Sequence, residues 1–297
     1  MFQVFLEDGS VVVAKFYRPG RWSDEQILEE HSFTAELADA EIPVVAPLVL
    51  AVDRGSTLAP LLKGMPPTLA QFAASGGSHR FAVAPRRAGR APDLDNRSDL
   101  EWIGRFIGRM HAVGARHAFA HRNTLGVATF GWASRDWIVA HGLLPPDLAT
   151  AWNEAATRAL DVVQEAFQRA APVASIRLHG DCHVGNVLWT EAGPHFVDLD
   201  DAMSGPAVQD LWMLLAGDSD SSRSQLRALL AGYEAFSDFD DRQLALIEPL
   251  RTLRMIYHSA WLARRWEDPA FPAGFPWFGT PAYWQEQVQL LRERAAL

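Results

Sequence analysis

The densest run of chemically capable side chains is His179-Gly180-Asp181-Cys182-His183-Val184-Gly185-Asn186, followed by Phe196-Val197-Asp198-Leu199-Asp200-Asp201. An aspartate, an amide five residues on, and an aspartate at the end of the next strand suit one task. Asp181 can accept a hydroxyl proton and Asn186 can offer an amide oxygen to Mg²⁺. Asp198 can bridge the same ion to phosphate oxygens. Such a centre also needs a strand lysine to clamp the phosphates, paired with a helix glutamate. Lys15, in Val11-Val12-Val13-Ala14-Lys15, stands on a β-rich run, and Glu29 and Glu30 follow on a helical stretch. Lysine, glutamate, Asp-x4-Asn and late aspartate occur in the order that phosphoryl transfer from a nucleotide requires.

The elements that must position these residues are legible in outline. Phe2–Leu6 and Val11–Tyr17 read as two strands around an Asp8-Gly9 hairpin turn. Asp24 is the expected cap of the next helix, with Ile27, Phe33 and Leu37 near one face. Val44–Val52 and Phe81–Ala84 read as further strands. Lys63–Arg80 between them, rich in Pro, Gly and Ser, reads as a loop with one helical turn around Leu69–Ala73. Beyond residue 86 the pattern becomes helical. Ser98 and Glu101 form an expected capping box ahead of Leu100, Ile103, Ile107 and Met110. Asp147–Ala170, Val208–Ala216, Arg223–Phe236, Asp241–Trp266 (interrupted at Pro249) and Ala282–Ala295 read as helical. Asn186–Trp189 and His195–Leu199 read as short strands around Gly193-Pro194.

Composition limits the alternatives. The 297 residues are 48% hydrophobic and 21% charged, as in a globular protein with a substantial core. The single cysteine, Cys182, excludes an intrachain disulfide and a cysteine zinc cluster and fits a reducing, cytoplasmic setting. With 27 basic and 36 acidic residues the net charge is −9, which disfavours nucleic acid and anionic membrane as partners. Glu7 and Asp8 argue against a signal peptide, and no apolar run is long enough to span a bilayer. The loop 179–183 does not suit a metal hydrolase, whose imidazoles share one face, often at helical spacing. Asp200 and Asp201 are expected as turn or capping residues rather than ligands, and Asp210 as a buttress of the catalytic loop.

The Asp-x4-Asn loop resembles that of protein kinases, with Gly180 where those carry arginine, the form seen in aminoglycoside and choline kinases. Over nearly the whole chain the sequence is similar to the bacterial stress response kinase A family, protein kinases on the aminoglycoside-phosphotransferase fold. The resemblance runs through Lys15-Phe16-Tyr17-Arg18-Pro19, Gln26–His31, Arg177–Asn186, Phe196–Asp201, Gly205–Leu215, Ile247–Arg251, Ala260–Trp266 and Asp268–Pro272. It implies an α+β, bilobal, protein-kinase-like fold, with a nucleotide-binding lobe over 1–85 and a helical lobe over 86–297. It further implies ATP as phosphoryl donor, Asp181 and Asp198 as catalytic residues, Asn186 and Asp198 as Mg²⁺ ligands, and Lys15 at the nucleotide. Glu30 is its expected partner, standing before Leu37 as the family glutamate stands before its helix leucine. The acceptor it implies is a protein serine or threonine, and the chain is expected to be a monomer. The rivals are a small-molecule kinase, acting on an amino alcohol, sugar or aminoglycoside (choline- or homoserine-like acceptors among them), and a pseudokinase binding module. Two departures stand out. The family has a strand and a nucleotide-covering loop before the position of Phe2, and Lys63–Arg80 is longer than the family pattern, just before the expected hinge at Phe81–Pro85.

Overall fold

The Asp8-Gly9 turn nucleates the expected hairpin. In the computed structural model, which describes residues 1–51, 62–64, 68–74, 77–217 and 219–296, β1 (Phe2–Phe5) and β2 (Val11–Phe16) pair antiparallel around it. Gly9 takes the left-handed φ of 81° that the turn needs. The sheet continues through β3 (Leu62–Gly64), β4 (Ala70–Ala74) and β5 (Gly77–Pro85), in the antiparallel order β1-β2-β5-β4-β3. Lys15 on β2 lies opposite Ala82 on β5.

Two expectations are corrected here. Apart from Thr68 and Leu69, the described part of Lys63–Arg80 is strand, not a loop with a helical turn, because pairing within the sheet overrides its weak local preference. Residues 65–67 and 75–76 of that stretch lie outside the described residues. Val44–Val52 is not a strand over its described part. Val44 makes a single parallel bridge to Phe196, and Leu48 donates its N–H to the Val83 carbonyl at 2.7 Å. Val52 lies outside the described residues.

Helix α1 (Asp24–Asp39) is capped by Ser23, not Asp24. The Ser23 hydroxyl accepts from the Gln26 N–H, and the Gln26 side chain accepts from the Ser23 N–H. Asp24 sits one position inside, where its charge favours the helix dipole. Phe33 and Leu37 enter the main core, and Ile27 packs with Tyr17, Leu69 and Ala82. Helix α2 (Arg97–Gly114) is capped two residues early, Asn96 in place of Ser98 accepting from the N–H groups of Ser98 and Asp99.

The chain then forms α3 (Ala133–Ala140), α4 (Pro146–Ala170), β6 (Ile176–Leu178), β7 (Val187–Thr190), β8 (Gly193–Phe196) and β9 (Met203–Gly205). Helices α5 (Gln209–Trp212), α6 (Ser219–Tyr233), α7 (Ile247–Ala263), α8 (Ala270–Gly274) and α9 (Pro281–Arg294) complete it. The β7–β8 turn is Glu191-Ala192, and Gly193-Pro194 already belongs to β8. Strand β9 pairs with β6, and every residue from Ala202 to Trp212 is buried. Pro249 does not interrupt α7, because in the first turn its missing N–H costs no helical bond. Among the described residues no helix is long and apolar enough to cross a membrane.

Packing divides the chain into two units, one of Met1–Asn123 with Ser175–Phe239, the other of Thr124–Ala174 with Asp240–Leu297. The lobe boundary expected after residue 85 is not a division between these units but lies within the first, between β5 and α2. The second is helical, with Trp152 and Trp284 edge to face at 5.8 Å. In the first, α2 and α6 touch backbone to backbone through glycines. A Cβ on Gly104 would lie 2.0 Å from the Leu229 carbonyl oxygen, and one on Gly232 would lie 1.9 Å from that of Glu101. Gly104→Ala is therefore expected to cost about 3 kcal/mol in urea unfolding. A loss below about 1 kcal/mol would show that the two helices can separate freely.

Candidate active site

The first unit brings the sequence-selected residues together. From β2, Lys15 Nζ reaches Asp198 Oδ1 and Asp200 Oδ1, each at 3.0 Å. Burial alone would lower the Lys15 pKa, but the carboxylates of Asp200, Glu30 and Asp198 outweigh it and hold the ammonium above its ordinary value. Glu30 is buried close by but does not make the expected direct pair. Its Oε1 accepts from the Thr34 hydroxyl at 3.2 Å, and burial raises its pKa against the pull of Lys15. Asp200, only 9% exposed, takes the position next to the lysine, with its other oxygen 2.7 Å from Arg21 Nη1. Burial works to raise the Asp200 pKa, and Lys15 and Arg21 overcome it, keeping the carboxyl below its usual value. His31, buried behind this cluster against the Tyr17 hydroxyl at 2.7 Å, is pushed down to about 4 by burial and then by Lys15, so it is neutral at pH 7.

The loop carrying Asp181 follows β6 and is held from beneath. Asp210, fully buried, accepts from the N–H groups of His179 and Gly180, each at 2.8 Å, and from His111 Nε2 at 3.1 Å. His111 is set in turn by the Tyr233 hydroxyl at 3.1 Å. Gly180 has φ 82°, and a Cβ there would lie 2.2 Å from the Asp201 carbonyl oxygen. That is why arginine has no place at this position. His179 Nε2 donates to the Val197 carbonyl at 3.0 Å, which ties the loop to the segment carrying Asp198. Asn186 Nδ2 donates to the Asp181 carbonyl at 2.9 Å and lies 3.4 Å from its Oδ2, so the Asn186 amide oxygen is directed elsewhere. Asp198 holds the left-handed backbone (φ 60°, ψ 61°), a conformation uncommon outside glycine and typical of functional turns.

A cavity of about 350 Å³ joins Lys15, Glu30, Asn186 and Asp198. One end is lined by apolar residues, Ala82, Ala84, Pro85 and Leu188 among them, the other by Lys15, Asn186 and Asp198. An apolar slot for a flat base beside a cation and two oxygen donors fits a nucleoside phosphate. Among the described residues no cluster of three or more His, Cys, Asp or Glu is able to hold a metal alone. A divalent ion here would share phosphate oxygens and water with Asn186 and Asp198, as Mg²⁺ does.

Residues 2–247 match the phosphotransferase enzyme family. The chain belongs to that family. Over all 297 residues it is 42% identical to stress response kinase A of Salmonella choleraesuis, covering 84% of that protein. It is equally similar to the serine/threonine protein kinase RdoA of Salmonella typhimurium, with the same coverage. Stress response kinase A of Escherichia coli K12 is 42% identical over 295 residues. Among solved structures, the fold matches an amicoumacin kinase in complex with AMP-PNP and Ca²⁺. The TM-score is 0.68 at 19% identity, covering 99% of this chain and 84% of that one. A microcompartment-associated aminopropanol kinase matches at TM-score 0.67 and 16% identity, covering 97% and 85%. This member of the stress response kinase A group is thus an ATP-dependent phosphotransferase on an α+β fold.

This phosphotransferase has site residues that reading the sequence missed. Asp200 does sit in a turn, as expected, but it is buried against Lys15 and Arg21 rather than solvated. A second acidic residue two positions after Asp198 was the available signal. Glu29, one of two adjacent helix glutamates, accepts three backbone N–H groups from residues 120–122. Arg122 carried no sequence signal, since nothing local distinguishes it from a surface arginine. Cys182, beside Asp181, is buried, and burial with Asp210 and Asp181 holds its thiol well above the ordinary pKa, so it is inert rather than nucleophilic.

Proposed function

We propose that the chain is a Mg²⁺-dependent protein kinase that transfers the γ-phosphoryl group of ATP to a serine or threonine hydroxyl in the bacterial stress response. The observation that carries the protein acceptor is the whole-length 42% identity to relatives named as stress response and serine/threonine protein kinases. In this reading Asp181 accepts the hydroxyl proton as the oxygen bonds to the γ-phosphorus and the bond to the β,γ-bridging oxygen breaks, releasing ADP. Lys15, steadied by Asp200 with Glu30 behind it, faces the phosphates, and the apolar end of the cavity takes the adenine. Asn186 and Asp198 would hold Mg²⁺, which when bound offsets charge on the phosphate oxygens. The lobe over 1–85 binds the nucleotide, and residues 86–297 carry the catalytic loop and substrate surface. The working form is a cytoplasmic monomer.

Phosphatase-treated enzyme with γ-labelled ATP and Mg²⁺ tests this. It is given a generic basic protein or a panel of aminoglycosides and amino alcohols. Labelled serine or threonine, abolished by EDTA, is the expected result. Turnover confined to a small molecule would replace the protein acceptor with that compound, and turnover unchanged in EDTA would remove Mg²⁺.

A further inference from the structure

Helix α1 carries Glu30 into the site, and its neighbour Glu29 faces another way. Glu29 Oε1 accepts from the N–H of Ala120 at 2.5 Å, and Oε2 accepts from those of His121 and Arg122, both at 2.9 Å. One carboxylate thus satisfies three successive backbone donors, the arrangement that binds an anion tightly in a turn. Gln26, one turn earlier on the same helix, donates from Nε2 to the His121 carbonyl at 2.9 Å.

Arg122 continues the connection. Its guanidinium is buried, 4.1 Å from the centroid of the Trp22 ring. Its Nε donates to the Ala202 carbonyl at 2.7 Å and Nη2 to the Asp200 carbonyl at 2.5 Å. Those two carbonyls lie within and at the end of the short turn Leu199–Asp201, which directly follows the left-handed Asp198. A planar, permanently charged fork bonded to two carbonyls of one short turn leaves it little freedom.

From this geometry we infer that Glu29 and Arg122 are positioning residues: together they lock α1 to the acidic turn 198–202 and so set Asp198 for the metal-bound nucleotide. The inference rests on the reading of Asp198 as a metal ligand and adds to it the residues that hold Asp198 in place. Neither Glu29 nor Arg122 lines the nucleotide cavity, so their effect travels through the turn and not through contact with ATP.

The test is the gain in ATP affinity that Mg²⁺ confers, measured by titrating thermal stabilisation with ATP in Mg²⁺ and in EDTA. Full-length wild type, Glu29→Gln, Arg122→Lys and Asp198→Ala are compared. The clamp variants are expected to lose about fivefold or more of the Mg²⁺-dependent gain, as suits a coupling between sites, with affinity in EDTA unchanged. A role in packing alone would lower the melting temperature of the free protein and leave that ratio intact, which overturns the inference. If the gain disappears in Asp198→Ala but survives in both clamp variants, the inference fails and the metal reading stands. If it survives in all three, both fall. Should neither clamp variant fold, amide hydrogen exchange of the wild type decides. Slower exchange at 120–122 with Mg²⁺ and ATP than with ATP in EDTA supports the clamp, and equal exchange overturns it.

Discussion

Asp181→Asn is expected to reduce kcat by ~10²–10⁴ while leaving ATP affinity close to that of the wild type. The substitution keeps size and shape but removes the proton acceptor. Asparagine can still face the Asn186 amide, which approaches Asp181 through a backbone carbonyl as well as the side chain. Asp181 is not among the residues lining the nucleotide cavity, so binding and chemistry should separate cleanly. Steady-state turnover alongside ATP titration checks this. A variant with more than about a tenth of the wild-type kcat would show that the hydroxyl proton leaves by another route.

Asp210→Ala should have the largest effect on the folded state. The carboxylate is wholly buried and accepts two backbone N–H groups of the catalytic loop and one imidazole nitrogen. Removing it strands those donors in the core, and losing one partner of such a buried charged network costs about 3–5 kcal/mol. Against a total stability of about 5–15 kcal/mol, that is a large share. Any folded fraction should also be nearly inactive, since His179 and Gly180 immediately precede Asp181. Asp210→Asn, which keeps one acceptor oxygen, should lie between wild type and alanine in both urea unfolding and turnover. If alanine and wild type unfolded at the same urea concentration, the loop would be held by something other than Asp210.

What sequence made legible follows from what each element depends on. The β1–β2 hairpin and the buried faces of α1 and α2 were readable because turn chemistry and helical periodicity are local. The caps were misplaced by one or two residues, since Ser23 competes with Asp24 and Asn96 with Ser98 in the same short stretch. β4, and the part of β5 before Phe81, were missed because their small residues show no alternation and are strand only by virtue of their neighbours. At the site, Asp181, Asn186 and Asp198 stood out by their spacing, and the structure brings Asn186 and Asp198 to one cavity with Lys15, with Asp181 against Asn186. The role of Glu30 was less so. Whether a helix glutamate meets a strand lysine depends on competitors, and Asp200 is 3.0 Å from Lys15. Glu29 reaches its partners across more than ninety residues of chain and Arg122 reaches the turn across 78 and 80, separations at which no local pattern survives.

The pairing of β9 with β6 has a consequence for control. Only eleven residues separate Asp198 from Asp210, and from Ala202 onward all of them are buried. In many kinases this interval holds a long exposed flap whose phosphorylation brings the enzyme from off to on. Here it is spent on a buried strand and turn, leaving no hydroxyl-bearing loop for a second kinase to modify. Turnover is therefore expected without a prior activating phosphorylation, and phosphatase treatment of the purified enzyme should leave kcat unchanged.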